Sequence, residues 1–207
     1  MERATSLTSQ SRKLPVVIVG AGGHACVVAD ALLTAGNQIL GFTDTSVEVG
    51  KEMFQGLRVL GCDDIIKEYA PNEIEVAIGI GFLPGNNIRY KVFNKVKGWG
   101  FTVKSVQHPS AIIGNEVILA EGSQIMAGGI VQPKAFIGKN VIVNTGAKID
   151  HDTIVGDHSH VAPGATICGG VEIGANCFVG AGSIVIQGRS LSSNAVVAAG
   201  AIISKNI

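Results

Sequence analysis

The sequence predicts two regions of different fold class. An α/β domain is expected over residues 14–107 and an all-β parallel β-helix of hexapeptide repeats over residues 108–207, after a flexible N-terminus at 1–13. Three observations lead to this prediction: aliphatic residues recur at every sixth position of the second region, apolar runs alternate with helical segments in the first, and the 207 residues include 28 glycines. Such a glycine content suits a chain that turns often.

The first region has the pattern of a Rossmann-like domain. An apolar run at 14–20 ends in glycine, and the segment 24–36 has helical spacing with a glycine as its stop signal. Further buried strands are expected at 38–44 and 75–81, and a second helix from 86 to 97. Because strands and helices alternate, we expect a small parallel sheet flanked by helices.

The second region repeats every six residues. An aliphatic residue stands at every sixth position from Ile113 to Ile203. The first and fifth positions of each hexad should point inward with one outward residue between them, because side chains alternate along a strand. Three hexads form one triangular coil, so we expect about five stacked coils in a prism roughly 25 Å long. The α/β domain is expected to cover one open end of this prism.

The composition argues against several classes of function. Basic and acidic residues number 16 each, so the formal net charge of +0 gives no whole-chain attraction to nucleic acid or to an anionic membrane. The polar opening segment has no apolar run behind it and no stretch approaches the length of a membrane span, which predicts a cytoplasmic protein. The four cysteines lack Cys-x-x-Cys spacing, so no zinc ribbon or disulfide framework is predicted.

Three of the five histidines stand close together in the repeats. The hexad places His160 outward on a prism face, where it would meet a neighbouring subunit, either in a functional role or in an interface hydrogen bond. His158 takes the fourth place of its hexad, where asparagine stands one coil before and after, and this predicts a turn. His151 lies near a corner between Asp150 and Asp152, and a carboxylate that receives one ring N–H leaves the other nitrogen free to accept a proton. His151 is therefore the candidate general base.

The segment GAGGHA at residues 20–25 follows a predicted strand and opens a predicted helix. Backbone N–H groups at a helix start can approach a phosphate. Asp44, at the end of the second predicted strand, stands about where a ribose-binding acid would. Ala25 replaces the third glycine of the dinucleotide signature, so an NAD-dependent reductase is the weaker interpretation. For His24 the alternative is a helix start that binds no ligand.

Two segments taken together resemble the bacterial nucleotide-sugar N-acetyltransferases and sialic-acid O-acetyltransferases. They are GAGGHACVVAD at 20–30 and NTGAKIDHDTIVGDHSHVAPGATICGGVEIG at 144–174, and the likeness spans residues 16–203. The resemblance implies a left-handed parallel β-helix, contrary to the usual right-handed crossover, and a homotrimer. It also implies acetyl-CoA as co-substrate, a nucleotide-linked amino sugar as acceptor, and no metal.

The resemblance also implies roles for individual residues. His151 matches the catalytic base of the family, Asp152 matches its orienting acid, and His160 matches a second histidine near the acetyl group of acetyl-CoA. Other residues match positions that line the pantetheine arm between adjacent subunits or that hold the nucleotide sugar. These are Gly169, Ala181 and Ala199 for acetyl-CoA, and Gly22, Gly23, His24 and Asp44 for the nucleotide sugar.

The activity implied by the resemblance is acetylation of the amino group of a UDP-4-amino-4,6-dideoxyhexose in surface-glycan biosynthesis. A general base fits this reaction because the substrate's ammonium group must lose a proton before attack. O-acetylation of a sialic-acid-type sugar stays open, since one histidine can deprotonate either nucleophile. Two alternatives come from other classes. One is a non-catalytic nucleotide-binding scaffold, and the other is a trimeric β-helix zinc enzyme of the carbonic-anhydrase type, in which histidines from neighbouring subunits, among His151, His158 and His160, bind zinc.

Overall fold

The computed structural model describes residues 13–207, so the predicted flexible N-terminus lies outside the described residues except for Lys13. The chain first forms a sheet with two α-helices and one 3-10 helix. Its elements are β1 Val16–Val19, α1 Gly23–Thr34, β2 Ile39–Thr43, β3 Glu52–Phe54, β4 Leu57–Gly61, the 3-10 helix Asp63–Glu68, β5 Glu75–Ile78 and α2 Ile88–Gly98. The strand order is β3-β4-β2-β1-β5, and all pairs are parallel except β3 with β4. The predicted Rossmann-like parallel sheet is confirmed.

Strand β1 is apolar throughout because helices cover both faces of the sheet. Val16 and Ile18 pack in a core cluster with the buried side of α1, whereas Val17 and Val19 pack in a second cluster with Phe93 of α2. The alternation follows from the strand period of two. The carboxyl end of β1 is thereby fixed between the two helices, at the edge of the sheet where the glycine-rich loop begins.

The hairpin of β3 and β4 was not predicted from the sequence. Gln55 and Gly56 connect the strands with φ angles of 45° and 79°. Two-residue hairpin turns require such left-handed residues, and Asn-Gly or Asp-Gly is their usual signal. A Gln-Gly pair between two short strands of mixed polarity is a much weaker signal, so this segment gave no clear pattern.

From Val106 the chain winds into a left-handed parallel β-helix, as predicted. We call its three sheets the docked sheet (β6, β9, β12, β15, β18, β21), the second sheet (β7, β10, β13, β16, β19, β22) and the third sheet (β8, β11, β14, β17, β20). The strands are β6 Val106–Gln107, β7 Ile112–Ile113, β8 Ile118–Leu119, β9 Gln124–Ile125, β10 Ile130–Val131, β11 Phe136–Ile137, β12 Ile142–Val143, β13 Lys148–Ile149, β14 Ile154–Val155, β15 His160–Val161, β16 Thr166–Ile167, β17 Glu172–Ile173, β18 Phe178–Val179, β19 Ile184–Val185, β20 Ser190–Leu191, β21 Val196–Val197 and β22 Ile202–Ile203. The first strand begins two residues before the repeat pattern predicted.

The six-residue repeat has a core position and a turn position. Every aliphatic residue of the series from Ile113 to Ile203 lies in one core cluster inside the prism. The fourth residue of each hexad, from Glu116 to Gly200, has a positive φ. Glycine and asparagine adopt this conformation at low cost, which explains their frequency at the corners. The repeat therefore fixes both which side chains point inward and where the chain turns.

The α/β domain packs along a side of the prism. Helix α1 contacts β6, and the ring of Phe82 stacks on that of Phe178 in β18 at a centroid distance of 6.0 Å. The expectation that this domain covers an open end is wrong, since Ile113 and Leu119 in the first coil stay partly exposed. The docked sheet presents apolar outward residues such as Ile142, which is fully buried, and covering this face removes apolar surface from water.

Candidate active site

His151 lies outside the prism, at the corner between β13 of the second sheet and β14 of the third. Its side chain is 62% exposed, and its Nδ1 lies 2.7 Å from Oδ2 of Asp152. Asp152 occupies the left-handed fourth place of the hexad with a φ of 56°. The hydrogen bond to Asp152, with the charge of Asp150, raises the pKa of His151 above its ordinary value. Because Nδ1–H donates to the carboxylate, Nε2 of the neutral ring is an acceptor.

Gly169, one coil further on, lies directly against the imidazole of His151. A Cβ added to Gly169 would stand 2.6 Å from Nε2, which is closer than real contacts allow. The same column carries Pro133 one coil before His151 and Gln187 one coil after Gly169, so the backbone there tolerates side chains. Gly169 thus makes room for the imidazole, and a predicted acetyl-CoA residue lies beside the predicted base.

Ala181 and Ala199 are not brought to the His151 corner of the same chain. They lie at the corner between the docked sheet and the second sheet, whereas His151 and Gly169 lie between the second and third sheets. The predicted acetyl-CoA residues therefore lie at two different corners of one chain.

His160 points outward from β15 but is only 7% exposed, because the α/β domain of the same chain covers it. The expectation that a neighbouring subunit meets this face at His160 is therefore wrong. Its Nδ1–H donates to the carbonyl oxygen of Phe82 at 3.2 Å, and its Nε2 accepts from Nδ2 of Asn144 at 3.1 Å. Desolvation lowers the pKa of His160 to about 4, so the ring is neutral near pH 7. Both ring nitrogens have partners within the protein.

His158 has the predicted turn conformation, with a φ of 61° close to the 56° of Asn140 and the 57° of Asn176. Its Nδ1 accepts from Nδ2 of Asn140 at 3.0 Å, and its ring meets Tyr90 and Phe93 of α2 edge-on. Burial lowers the pKa of His158. The residue turns the corner and also supports α2.

The glycine-rich loop lies at the carboxyl edge of the parallel sheet. Gly22 is the N-cap of α1, Gly22 and Gly23 are exposed, and the first turn of α1 holds no acidic residue. Asp44 accepts from the Ala21 N–H at 3.0 Å and from the N–H and O–H of Ser46 at 2.8 and 2.7 Å. Desolvation alone would raise the pKa of Asp44, but these hydrogen bonds lower it overall. Asp44 therefore holds the loop in place as an anion.

His24 joins this loop to the β-helix. Its Nε2 donates to Oε1 of Gln124 in β9 at 2.8 Å, and Nε2 of Gln124 donates to the carbonyl oxygen of Ile78 at 2.7 Å. Desolvation, with the charge of Arg89, lowers the pKa of His24 to about 4. The ring is neutral near pH 7. Gln124 was missed in the sequence, because its partners His24 and Ile78 lie far from it in the chain.

A cavity of about 290 Å³ opens beside the loop, and Gly20 and Asp44 are among its lining residues. We call this cavity the sheet-edge crevice. In open parallel sheets, ligands bind outside the carboxyl ends of the strands. The predicted substrate residues Gly22, Gly23, His24 and Asp44 all lie along this edge.

The zinc alternative draws on His151, His158 and His160 from neighbouring subunits. Within one chain these three histidines lie in three separate surroundings, and residues 13–207 contain no group of three or more metal-ligating side chains able to hold an ion.

The part of the chain that the structure describes also has no helix long and apolar enough to cross a membrane.

The β-helix with its corner histidine defines the class of hexapeptide-repeat transferases. Residues 134–169 match the bacterial transferase hexapeptide (six repeats), and residues 170–205 match the hexapeptide repeat of succinyl-transferase. Residues 15–96 match the PglD N-terminal domain.

Solved structures narrow this class to a family. The chain is 31% identical to a histidine-to-asparagine mutant of perosamine N-acetyltransferase from Caulobacter crescentus in complex with CoA and GDP-perosamine, over 93% of this chain and 90% of that one, with a TM-score of 0.86. It is 29% identical to the acetyltransferase domain of PglB from Neisseria gonorrhoeae FA1090 in complex with acetyl coenzyme A, over 94% and 93%, with a TM-score of 0.87. The chain belongs to the family of bacterial nucleotide-sugar N-acetyltransferases, as the sequence motifs predicted.

Proposed function

We propose that this protein transfers the acetyl group of acetyl-CoA to the amino group of a nucleotide-linked amino sugar in surface-glycan biosynthesis. The observation that carries the proposal is the His151–Asp152 pair, with a hydrogen bond of 2.7 Å, on an exposed corner of the β-helix. The similarity to enzymes described with CoA, acetyl coenzyme A and GDP-perosamine supports the same pair of substrates here.

His151 is the proposed base of the reaction. The sugar amine attacks the carbonyl carbon of the thioester, Nε2 of His151 takes a proton from the attacking nitrogen, and the C–S bond breaks as CoA leaves as a thiolate that then takes up a proton. Asp152 holds the ring through Nδ1–H and stabilises the imidazolium that forms. Such a base raises the reaction rate about 10²- to 10⁴-fold, and the binding of both substrates side by side supplies much of the remaining rate enhancement.

The α/β domain is the proposed site of the nucleotide. The sheet-edge crevice lies next to the start of α1, where free backbone N–H groups favour a phosphate. We propose that residues 14–107 bind the nucleotide and residues 108–207 carry out acetyl transfer. The sequence resemblance supports a UDP-4-amino-4,6-dideoxyhexose, whereas the Caulobacter relative holds a GDP-linked sugar, so both nucleotides belong in the test.

The active unit is proposed to be a homotrimer in the cytoplasm, where acetyl-CoA is made. The second sheet exposes apolar side chains that a single chain leaves in water: Ile112 and Ile202 are 61% and 67% exposed, and Ile184 is 38% exposed. They stand toward the two ends of the sheet, with the outward residues Lys148 and Thr166 on the strands between. We propose that this apolar surface is covered in an interface between subunits. Packing second sheets together would also bring Gly169 of one chain toward Ala181 and Ala199 of the next.

The test is an assay of CoA thiol release with purified protein and acetyl-CoA. We expect turnover with a UDP- or GDP-linked 4-amino-4,6-dideoxyhexose and none with the matching 4-hydroxy sugar nucleotide. Turnover with free sialic acid alone would replace the proposal with the O-acetyltransferase alternative. Absence of thiol release with every acceptor would favour a non-catalytic scaffold.

A further inference from the structure

Arg89 is a buried cation in the first turn of α2. It is 2% exposed, and its Nη1 donates to the carbonyl oxygens of Ile78 at 3.2 Å and Ile80 at 2.6 Å. Its Nε donates to the carbonyl oxygen of Asn140 in the β-helix at 3.3 Å. Burial lowers the pKa of Arg89 to about 9, so the guanidinium still carries its charge near pH 7.

The charge of Arg89 has no acidic partner in the part of the chain that the structure describes. None of the ion pairs among residues 13–207 includes it, and its buried Nη2 makes no hydrogen bond there. The first turn of α2 holds no acidic residue either. A buried charge is normally paired, and a cation in the first turn of a helix is opposed by the helix dipole. Its hydrogen bonds to three carbonyl oxygens join the sheet to the β-helix, but no anion among residues 13–207 balances its charge.

Arg89 lies next to a residue that lines the sheet-edge crevice. The carbonyl of Ile80 holds its guanidinium, and both Ile80 and the neighbouring Ile88 line the crevice. The charge of Arg89 also contributes to the lowered pKa of His24 in the glycine-rich loop. The charge of Arg89 therefore reaches the glycine-rich loop, and the N-termini of α1 and α2 add positive partial charge at this edge.

Two acidic residues, Asp44 and Asp63, line the crevice, and a lysine balances the charge of Asp63 alone. Asp63 accepts from Oγ1 of Thr43 at 2.9 Å and pairs with Nζ of Lys95 at 3.2 Å. Asp44 accepts the three hydrogen bonds from the Ala21 and Ser46 groups. Asp44 keeps its negative charge because these donors are neutral, and the buried charge of Arg89 opposes it at this edge.

We propose that Arg89 strengthens the binding of a nucleoside diphosphate in the sheet-edge crevice, by supplying from beneath the cavity wall the positive charge that the diphosphate needs. This inference rests on the proposed function, which places the nucleotide in that crevice. Arg89 acts through the low-dielectric protein interior and is a specificity determinant for the diphosphate, with no contact to the reacting atoms.

Two substitutions separate the charge of Arg89 from its hydrogen bonds. Arg89→Gln keeps an N–H donor but removes the charge, and Arg89→Lys keeps the charge on a different donor. Binding is measured by calorimetric titration of the full chain with UDP, GDP, uridine and guanosine. Arg89→Gln should bind the preferred diphosphate at least about tenfold more weakly than the wild type does. Arg89→Lys should lose far less, and nucleoside and acetyl-CoA affinities should stay unchanged in both. Arg58→Gln is the matched control, because Arg58 is an exposed arginine of the same domain, and it should bind as the wild type.

Two results would overturn the role of Arg89 and leave the proposed function standing. The first is an unchanged diphosphate affinity in a folded Arg89→Gln variant. The second is an equal loss of diphosphate affinity in Arg89→Gln and Arg89→Lys, which would indicate a structural role. Failure of the wild-type protein to bind either diphosphate would instead remove the proposed function as well. A further measurement needs no variant. Inorganic pyrophosphate should raise the melting temperature of the wild type and compete with the diphosphate, and absence of both effects would contradict the inference.

Discussion

His151 and His160 stand nine residues apart in neighbouring hexads, and their surroundings are opposite. His151 is exposed at a corner, and its carboxylate neighbours raise its pKa. His160 is buried under the α/β domain, and desolvation lowers its pKa to about 4. One ring keeps a free nitrogen and the other has both nitrogens engaged. The cover over a β-helix face therefore decides, more than the repeat itself does, which histidine is available for chemistry.

The largest expected effect is that of His151→Ala on turnover. Loss of the base should lower kcat by about 10²- to 10⁴-fold. The melting temperature, the trimer and the acetyl-CoA affinity should stay as in the wild type, because the side chain is exposed. His158→Asn is the matched control, since asparagine occupies the same turn position in adjacent coils and should leave kcat unchanged. Normal turnover in His151→Ala would refute the base assignment.

Gly169→Ala tests whether the imidazole needs the space beside it. The added methyl group would stand 2.6 Å from Nε2 of His151 in its present place, so the ring must move. A displacement of about 1 Å can cost about 10²-fold in rate, and we expect a loss of that order in kcat. Gln187→Ala changes the same column one coil further and should have no such effect. Equal activity of the two variants would show that the contact with Gly169 is unimportant.

Asp152→Asn should change the pH dependence of the reaction. Asp152 raises the pKa of His151, so the wild-type base is protonated and inactive below a pKa higher than that of an ordinary histidine. Activity should fall as the pH drops through that value. In Asp152→Asn the acid limb of kcat/KM should move to lower pH, while the maximal rate falls by about tenfold. A pH profile with an unmoved acid limb would disprove the coupling between the two side chains.

His160→Ala should act mainly on stability. It would leave the carbonyl of Phe82 and the amide of Asn144 without their partner, at a cost of about 1–3 kcal/mol for buried polar groups. Denaturant unfolding measures this cost, and the exposed His151→Ala should leave the free energy of unfolding close to that of the wild type. Equal stability of the two variants would remove the contrast between the buried and the exposed histidine.

The sequence predicted those features that depend on neighbours in the chain. The six-residue step placed the core, the corners, and the adjacent residues His151 and Asp152 correctly outside the prism. The cover over His160 was not predicted, because it comes from Phe82, 78 residues away. Arg89 received no role from the sequence, since only the fold brings its guanidinium between the sheet and the β-helix. The periodicity of the sequence does not predict which residues of the two regions contact each other.

The most direct test of the account is a structure of the complex with CoA and the nucleotide-linked amino sugar. We predict that the amino nitrogen of the sugar lies within about 3.2 Å of Nε2 of His151, between two protomers, with the nucleotide in the α/β domain of the adjacent chain. An amino group held away from His151, or a His151 ring outside any cleft between protomers, would contradict the central claim.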